Sequence, residues 1–150
     1  MDLILWRHAE ALDGTPDTSR DLTAKGRKQA EKVAAFLHLH MPGDARILVS
    51  PSTRTQQTAS ALTEQYTLTP AIAPGASAHA ILQAARWPNA DGTVLVVGHQ
   101  PTLGAVASLL LGSAEPSLSI KKGALWWFTR RERDDFAQTT LRLVITPDLL

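Results

Sequence analysis

The succession of strand and helix signals predicts an α/β fold, a three-layer α/β/α sandwich with a mostly parallel sheet and an antiparallel element near the C-terminus. Three features of the chain carry this expectation. Short apolar runs at Asp2–Trp6, Arg46–Ser50 and Thr93–Gly98 end in charge or turn residues, as buried strands do. Segments with helical spacing or helix start and stop signals separate them. Beyond Gly112 two strand-like runs, Ala124–Thr129 and Thr139–Ile145, flank the polar turn Arg130–Asp135 and read as an antiparallel pair. The chain has 150 residues, 44% hydrophobic and 19% charged, which suits one domain over residues 1–150 with an ordinary core.

In chain order, Asp2–Trp6 opens into a polar stretch, Ala9–Asp21, that carries Gly14 and Pro16 and reads as loop. Thr23 is a suitable N-cap for a helix whose buried face is Ala30, Val33, Ala34 and Leu37 and which Pro42-Gly43-Asp44 ends. After the second strand, Pro51-Ser52 starts a helix expected to reach about Gln65. Thr67–Ala73 is a weaker strand, interrupted by Pro70. Ser77–Trp87 reads as helix, stopped at Pro88-Asn89. Thr93–Gly98 is β-branched and uncharged, and Pro101 starts an apolar helix that ends at Gly112.

Composition excludes several classes. No cysteine is present, so there is no disulfide framework, thiol nucleophile or thiolate metal site. Fifteen basic against fourteen acidic residues give a formal charge of +1, which argues against the dense basic surface of a nucleic-acid binder. The opening Met-Asp-Leu-Ile-Leu-Trp-Arg-His lacks the features of a signal peptide, and no apolar run approaches a membrane span. A cytoplasmic protein is the expectation.

In such sheets ligands bind beyond the carboxyl ends of the strands. The first strand delivers Arg7-His8, the second Ser50-Pro51-Ser52-Thr53-Arg54, and the clearest strand Gly98-His99-Gln100. A lone arginine there is usually a solvated charge, and a lone histidine a structural group. Two of each at neighbouring strand ends suit phosphoryl transfer. Arginine forks match phosphate oxygens in pairs, and one histidine can attack phosphorus and become phosphorylated. A second, protonated, adds a cation to the transferring oxygens. Gly98 would let backbone approach the anion, and nothing in the set requires a metal or another cofactor.

The strand ending in Arg7-His8, the stretch Leu22-Thr23-Ala24-Lys25-Gly26-Arg27, the run Ser50-Pro51-Ser52-Thr53-Arg54 and Val97-Gly98-His99 together resemble the histidine phosphatase superfamily, the phosphoglycerate mutase-like fold. The resemblance spans roughly residues 1–112. It implies His8 as the phosphorylated nucleophile, Arg7 and Arg54 as phosphate clamps, and His99 as the second pocket histidine. Small size, Ala9 after the histidine and the Pro74-Gly75-Ala76-Ser77 stretch look most like the SixA-type phosphohistidine phosphatases. That branch acts on phosphohistidine carried by phosphotransfer proteins in signalling, so the implied partner is such a phosphoprotein.

Most branches protonate the leaving group with a carboxylate after the third strand, yet no Asp or Glu lies between Glu64 and Asp91. The gap has three readings: an inactive enzyme, His79 as donor, or a substrate needing no strong donor. Imidazole, with a reference pKa of about 6.5, leaves readily where an alkoxide does not. The gap therefore favours a phosphohistidine substrate, and the short loops favour an uncovered pocket that admits a side chain of another protein. His79 reads more simply as a surface residue. The alternatives are a small-molecule phosphomonoesterase of the same fold and a non-catalytic phosphoprotein-binding module. Arg20 is a further candidate for the phosphate, Trp126-Trp127-Phe128 a docking patch or core, and Arg130, Arg131 and Arg133 a basic tip.

Overall fold

Period-two burial in the first strand sets the architecture. In the computed structural model, which describes residues 1–150, β1 (Asp2–Arg7) turns Leu3 and Leu5 to one face and Ile4 and Trp6 to the other, all fully buried. A strand apolar on both faces needs a layer of helices over each. The first layer is α1 (Ala24–His40) and α2 (Thr53–Ser60), against Ile4, Trp6, Leu95 and Val97. The second is α3 (Ala78–Ala85) and α4 (Thr102–Leu111), against Leu3, Leu5, Val94 and Val96.

Between these layers lies one six-stranded sheet, ordered β3-β2-β4-β1-β5-β6. It contains β2 (Arg46–Val49), β3 (Thr67–Leu68), β4 (Thr93–Gly98), β5 (Leu125–Arg133) and β6 (Phe136–Ile145). β1 pairs in parallel with β4, β4 with β2 and β2 with β3; β5 joins β1 antiparallel, and β6 joins β5. The α/β sandwich with its antiparallel C-terminal element is as predicted.

Three element boundaries differ from expectation. α2 stops at Ser60 rather than near Gln65, and Leu62 beyond it is drawn into the core. β3 is two residues long, because its last ladder bond runs from the Thr69 N–H to Val49 O and Pro70 then opens a 3-10 turn over Pro70–Ile72. The hairpin is longer than predicted: β5 and β6 pair out to Arg133↔Phe136, leaving Asp134 and Asp135 as a two-residue turn. Both have positive φ, 52° and 62°, the backbone such a turn demands.

The hairpin also settles two smaller expectations. Trp127 and Phe128 are core, and Trp126 is half-buried against the α3/α4 layer. Because β5 runs antiparallel to β1, the arginine-rich tip lies at the sheet edge opposite His8, and Arg131 there pairs with Asp2 at 3.2 Å.

Candidate active site

β1, β4 and β2 end side by side, and their last ladder bonds place the candidate residues. The His8 N–H donates to Gly98 O at 3.0 Å, and the Ser50 N–H to Val97 O at 3.1 Å. His8 and His99 are thereby held with ring centroids 5.4 Å apart. Arg54 arrives from the first turn of α2, which Ser52 caps by accepting the Thr55 N–H. Thr58, one turn on, accepts the Ala9 N–H at 3.1 Å and donates to Arg54 O at 2.8 Å, tying that helix to the loop after His8. β2 and β4 are each followed within four residues by a helix start, whereas β1 opens into the loop that carries Asp17 before α1 begins at Ala24.

Arg7, His8, Arg20, Arg54 and His99 line one cleft of about 230 Å3. The two histidines and the two arginines read from the strand ends are therefore brought together, with Arg20 beside them. His79 is not: it is an exposed residue of α3 outside the lining. Gly98 also has a packing role. A Cβ there would meet the Leu103 side chain at 3.3 Å, so its small size serves the packing of α4.

Hydrogen bonds fix the state of each side chain. His8 Nδ1 donates to Ala9 O at 2.8 Å, which leaves Nε2 unprotonated. Burial, with Arg54, Arg7 and Arg20 nearby, outweighs that carbonyl and pushes the His8 pKa down to about 4. His99 Nε2 shares a 2.7 Å hydrogen bond with Ser50 Oγ, and burial together with Arg54 pushes its pKa to about 3. Both rings are neutral near pH 7 in the free protein, so a protonated His99 is not the resting state.

The arginines are anchored from behind. Arg7 Nη1 donates to Ile120 O at 2.8 Å. Arg54 Nη1 donates to Asp17 O at 2.9 Å and Nη2 to Asp17 Oδ2 at 3.1 Å, while Asp17 Oδ1 accepts from Arg20 Nε at 3.1 Å. Arg7 Nε, Arg54 Nε and His99 Nδ1 are buried without partners, three of the four such side-chain atoms in the chain. Buried polar atoms are nearly always satisfied, so three orphans on residues of one cleft set this region apart from the rest of the chain. The arrangement can hold a tetrahedral oxyanion against a neutral imidazole nitrogen.

Sequence reasoning gave no role to Asp17, Asp13 or Lys122. Asp17 grips two arginines, and Asp13 is the one carboxylate lining the cleft, with Lys122 on the rim. The i,i+3 spacing of Asp17 and Arg20 in a polar loop was the only available signal.

This constellation at the end of the parallel strands suits phosphoryl transfer, and comparison with known proteins identifies the family. The family model of the histidine phosphatase superfamily (branch 1) matches residues 3–77. The phosphohistidine phosphatase SixA homolog of Haemophilus influenzae is 30% identical over 132 residues, covering 77% of this chain and 80% of that protein. A protein histidine phosphatase SixA solved with tungstate superposes with a TM-score of 0.79 at 25% identity, over 99% of both chains. Phosphoserine phosphatase of Entamoeba histolytica, in a variant solved with phosphoserine, shares the fold with a TM-score of 0.73 at 18% identity, over 99% of this chain and 98% of that one. The chain belongs to the histidine phosphatase superfamily. Within it the chain is SixA-like, and family and fold make it a phosphatase.

Proposed function

We propose that the protein hydrolyses phosphohistidine on another protein through a phospho-His8 intermediate, with no metal. The observation that carries the substrate class is the cleft lining: three arginines and Lys122 line it, and the segment between β3 and β4 contributes no carboxylate to it. An oxygen leaving group needs a donor there, whereas imidazole does not. The SixA relatives support the same class. Tungstate in one of them is a tetrahedral oxyanion that stands in for phosphate.

Arg7 and Arg54 bind the phosphoryl oxygens through their guanidinium N–H groups, and Arg20 adds positive charge beside them. The Nε2 lone pair of His8 attacks phosphorus as the substrate P–N bond breaks, and the electron pair of that bond goes to the departing nitrogen of a substrate ring protonated at its other nitrogen, so neutral imidazole leaves. Water then attacks phospho-His8, releasing inorganic phosphate and returning neutral His8. The oxyanion draws a proton to His99 as negative charge enters the cleft, which strengthens its hold during transfer. The positive lining disfavours a bound metal cation, so activity should survive chelation by EDTA.

A competing reading, a small phosphate-ester phosphatase, has one observation in its favour, the Asp13 carboxylate in the lining. A pure binding module has none, since binding gains nothing from a buried, neutral His8 with Nε2 free. A substrate panel separates the first two. Phosphohistidine protein and activated aryl phosphates should turn over readily, alkyl and sugar phosphates at least about 100-fold more slowly. A sugar phosphate cleaved as fast as phosphohistidine would overturn the reading. Acid-free quenching and mass spectrometry should place the adduct on His8, and His8→Ala should abolish it.

A further inference from the structure

Arg7 and Lys122 line the catalytic cleft and also a wider neighbour of about 670 Å3 with no large apolar side chain in its wall. Besides Lys122, this second cleft presents Lys25 and Lys121, all three exposed and none in an ion pair. Lys25 sits in the first turn of α1, which holds no acidic residue. A helix N-terminus already carries partial positive charge, so a lysine there costs helix stability and adds to the local positive field. Residues that break a local rule without a folding benefit are candidates for function.

We propose that this cleft is the docking surface for an acidic protein segment flanking the phosphorylated side chain. The proposal rests on the phosphohistidine reading above for its substrate, while its electrostatic content stands apart. Charge complementarity selects the partner: three unpaired lysines continue the positive wall of the catalytic cleft through shared residues. Glu10 and Asp148 interrupt the patch, a mixed pattern that suits a protein surface with its own basic groups and suits a uniform polyphosphate poorly. The formal charge of the whole chain is only +1, so the positive wall of this mouth is a local cluster and not a share of a large net charge. Docking here would bring flanking carboxylates to Lys25 and Lys121 while the phosphoryl group reaches Arg7.

The test uses the full chain and synthetic phosphohistidine peptides with Glu-rich, neutral or Lys-rich flanks, and an aryl phosphate as a substrate too small to reach the second cleft. Wild type should cleave the Glu-flanked peptide with kcat/KM about tenfold above the neutral one at about 0.05 M salt, the preference fading near 0.5 M. Lys25→Glu/Lys121→Glu should remove or invert that preference, and Lys25→Arg/Lys121→Arg should keep it. The aryl phosphate rate reports whether the variant is folded and active. A labelled Glu-rich peptide with unphosphorylated histidine should also bind wild type, by fluorescence anisotropy, and not the double Glu variant. No charge preference in wild type, or one indifferent to the double substitution, overturns the docking surface. Failure to cleave any phosphohistidine peptide, with aryl phosphate turnover and anisotropy intact, overturns the substrate reading and leaves the docking surface standing.

Discussion

Arg54 is divided between two tasks by its own geometry. Asp17 accepts from both Nη atoms, once through its backbone carbonyl and once through Oδ2, which leaves Nε and the second hydrogen of each Nη for other acceptors. Slight burial would raise the Asp17 pKa, but Arg54 and Arg20 prevail and hold it below the usual carboxylate range. Asp17 is therefore ionised at working pH and acts as a positioning residue, not a proton donor. Asp17→Ala should lower kcat/KM by about tenfold through a misplaced fork, with the protein folded, while Arg54→Lys should cost about 100-fold or more because the fork itself is lost. Steady-state kinetics on an aryl phosphate separates the two, and an unchanged Asp17→Ala would mean that Arg54 needs no anchor. Arg7, His8, Arg54 and His99 were legible because each directly follows an apolar strand or opens the next helix. Asp17 and Asp13 were not, because the loop that carries them closes over the site by a tertiary contact, 37 residues from Arg54 in the case of Asp17.

At the scale of elements, the site depends on two helix starts. Ser52 caps α2 and thereby aims Arg54; Ser52→Ala should cost about 1 kcal/mol of stability and reduce kcat/KM more than that loss explains. Urea unfolding beside kinetics checks it, and a purely thermodynamic effect would show that the cap does not aim the arginine. Gly26, in the first turn of α1, lies so close to the first loop that a Cβ would overlap the Glu10 carbonyl. Gly26→Ala should therefore destabilise by about 2 kcal/mol or more and disturb Glu10, two residues from His8. An unchanged urea midpoint would refute the close approach. Long, strongly patterned elements such as β1, β4 and α1 were readable from their apolar periodicity. The hairpin tip was not: Arg131 to Gln138 are all exposed, with five consecutive charged residues before Phe136 and Ala137, so no alternation distinguishes them from a turn, and only pairing reveals the strand.

On the scale of the whole molecule, the site is a cost built into the fold. His8 and His99 are 7% and 5% exposed, with folded-state pKa values near 4 and 3 against an ordinary 6.5. Above pH 6.5 both are neutral in the folded and unfolded chains, and neither affects stability. As pH falls from 6.5 toward 4, the unfolded chain binds protons that the native cleft refuses, so stability declines across that window. For His8 alone the difference corresponds to roughly 3 kcal/mol. Asp2 acts lower on the scale. Its burial would raise its pKa, but hydrogen bonds from Thr129 and Trp127, with Arg131, hold the carboxyl below 3.8, so its contribution is lost only as pH drops below that value. The histidine window is therefore separable from ordinary carboxylate loss. Urea unfolding of wild type between pH 7 and 4.5 should show a falling midpoint, and His8→Asn and His99→Asn should each flatten the decline. Their midpoints at pH 4.5 should approach or exceed that of wild type, because removing the ring removes the refused proton. Parallel declines in all three proteins would show that the two rings titrate normally in the fold, and would remove the basis for a neutral His8 nucleophile held ready by burial and its arginines.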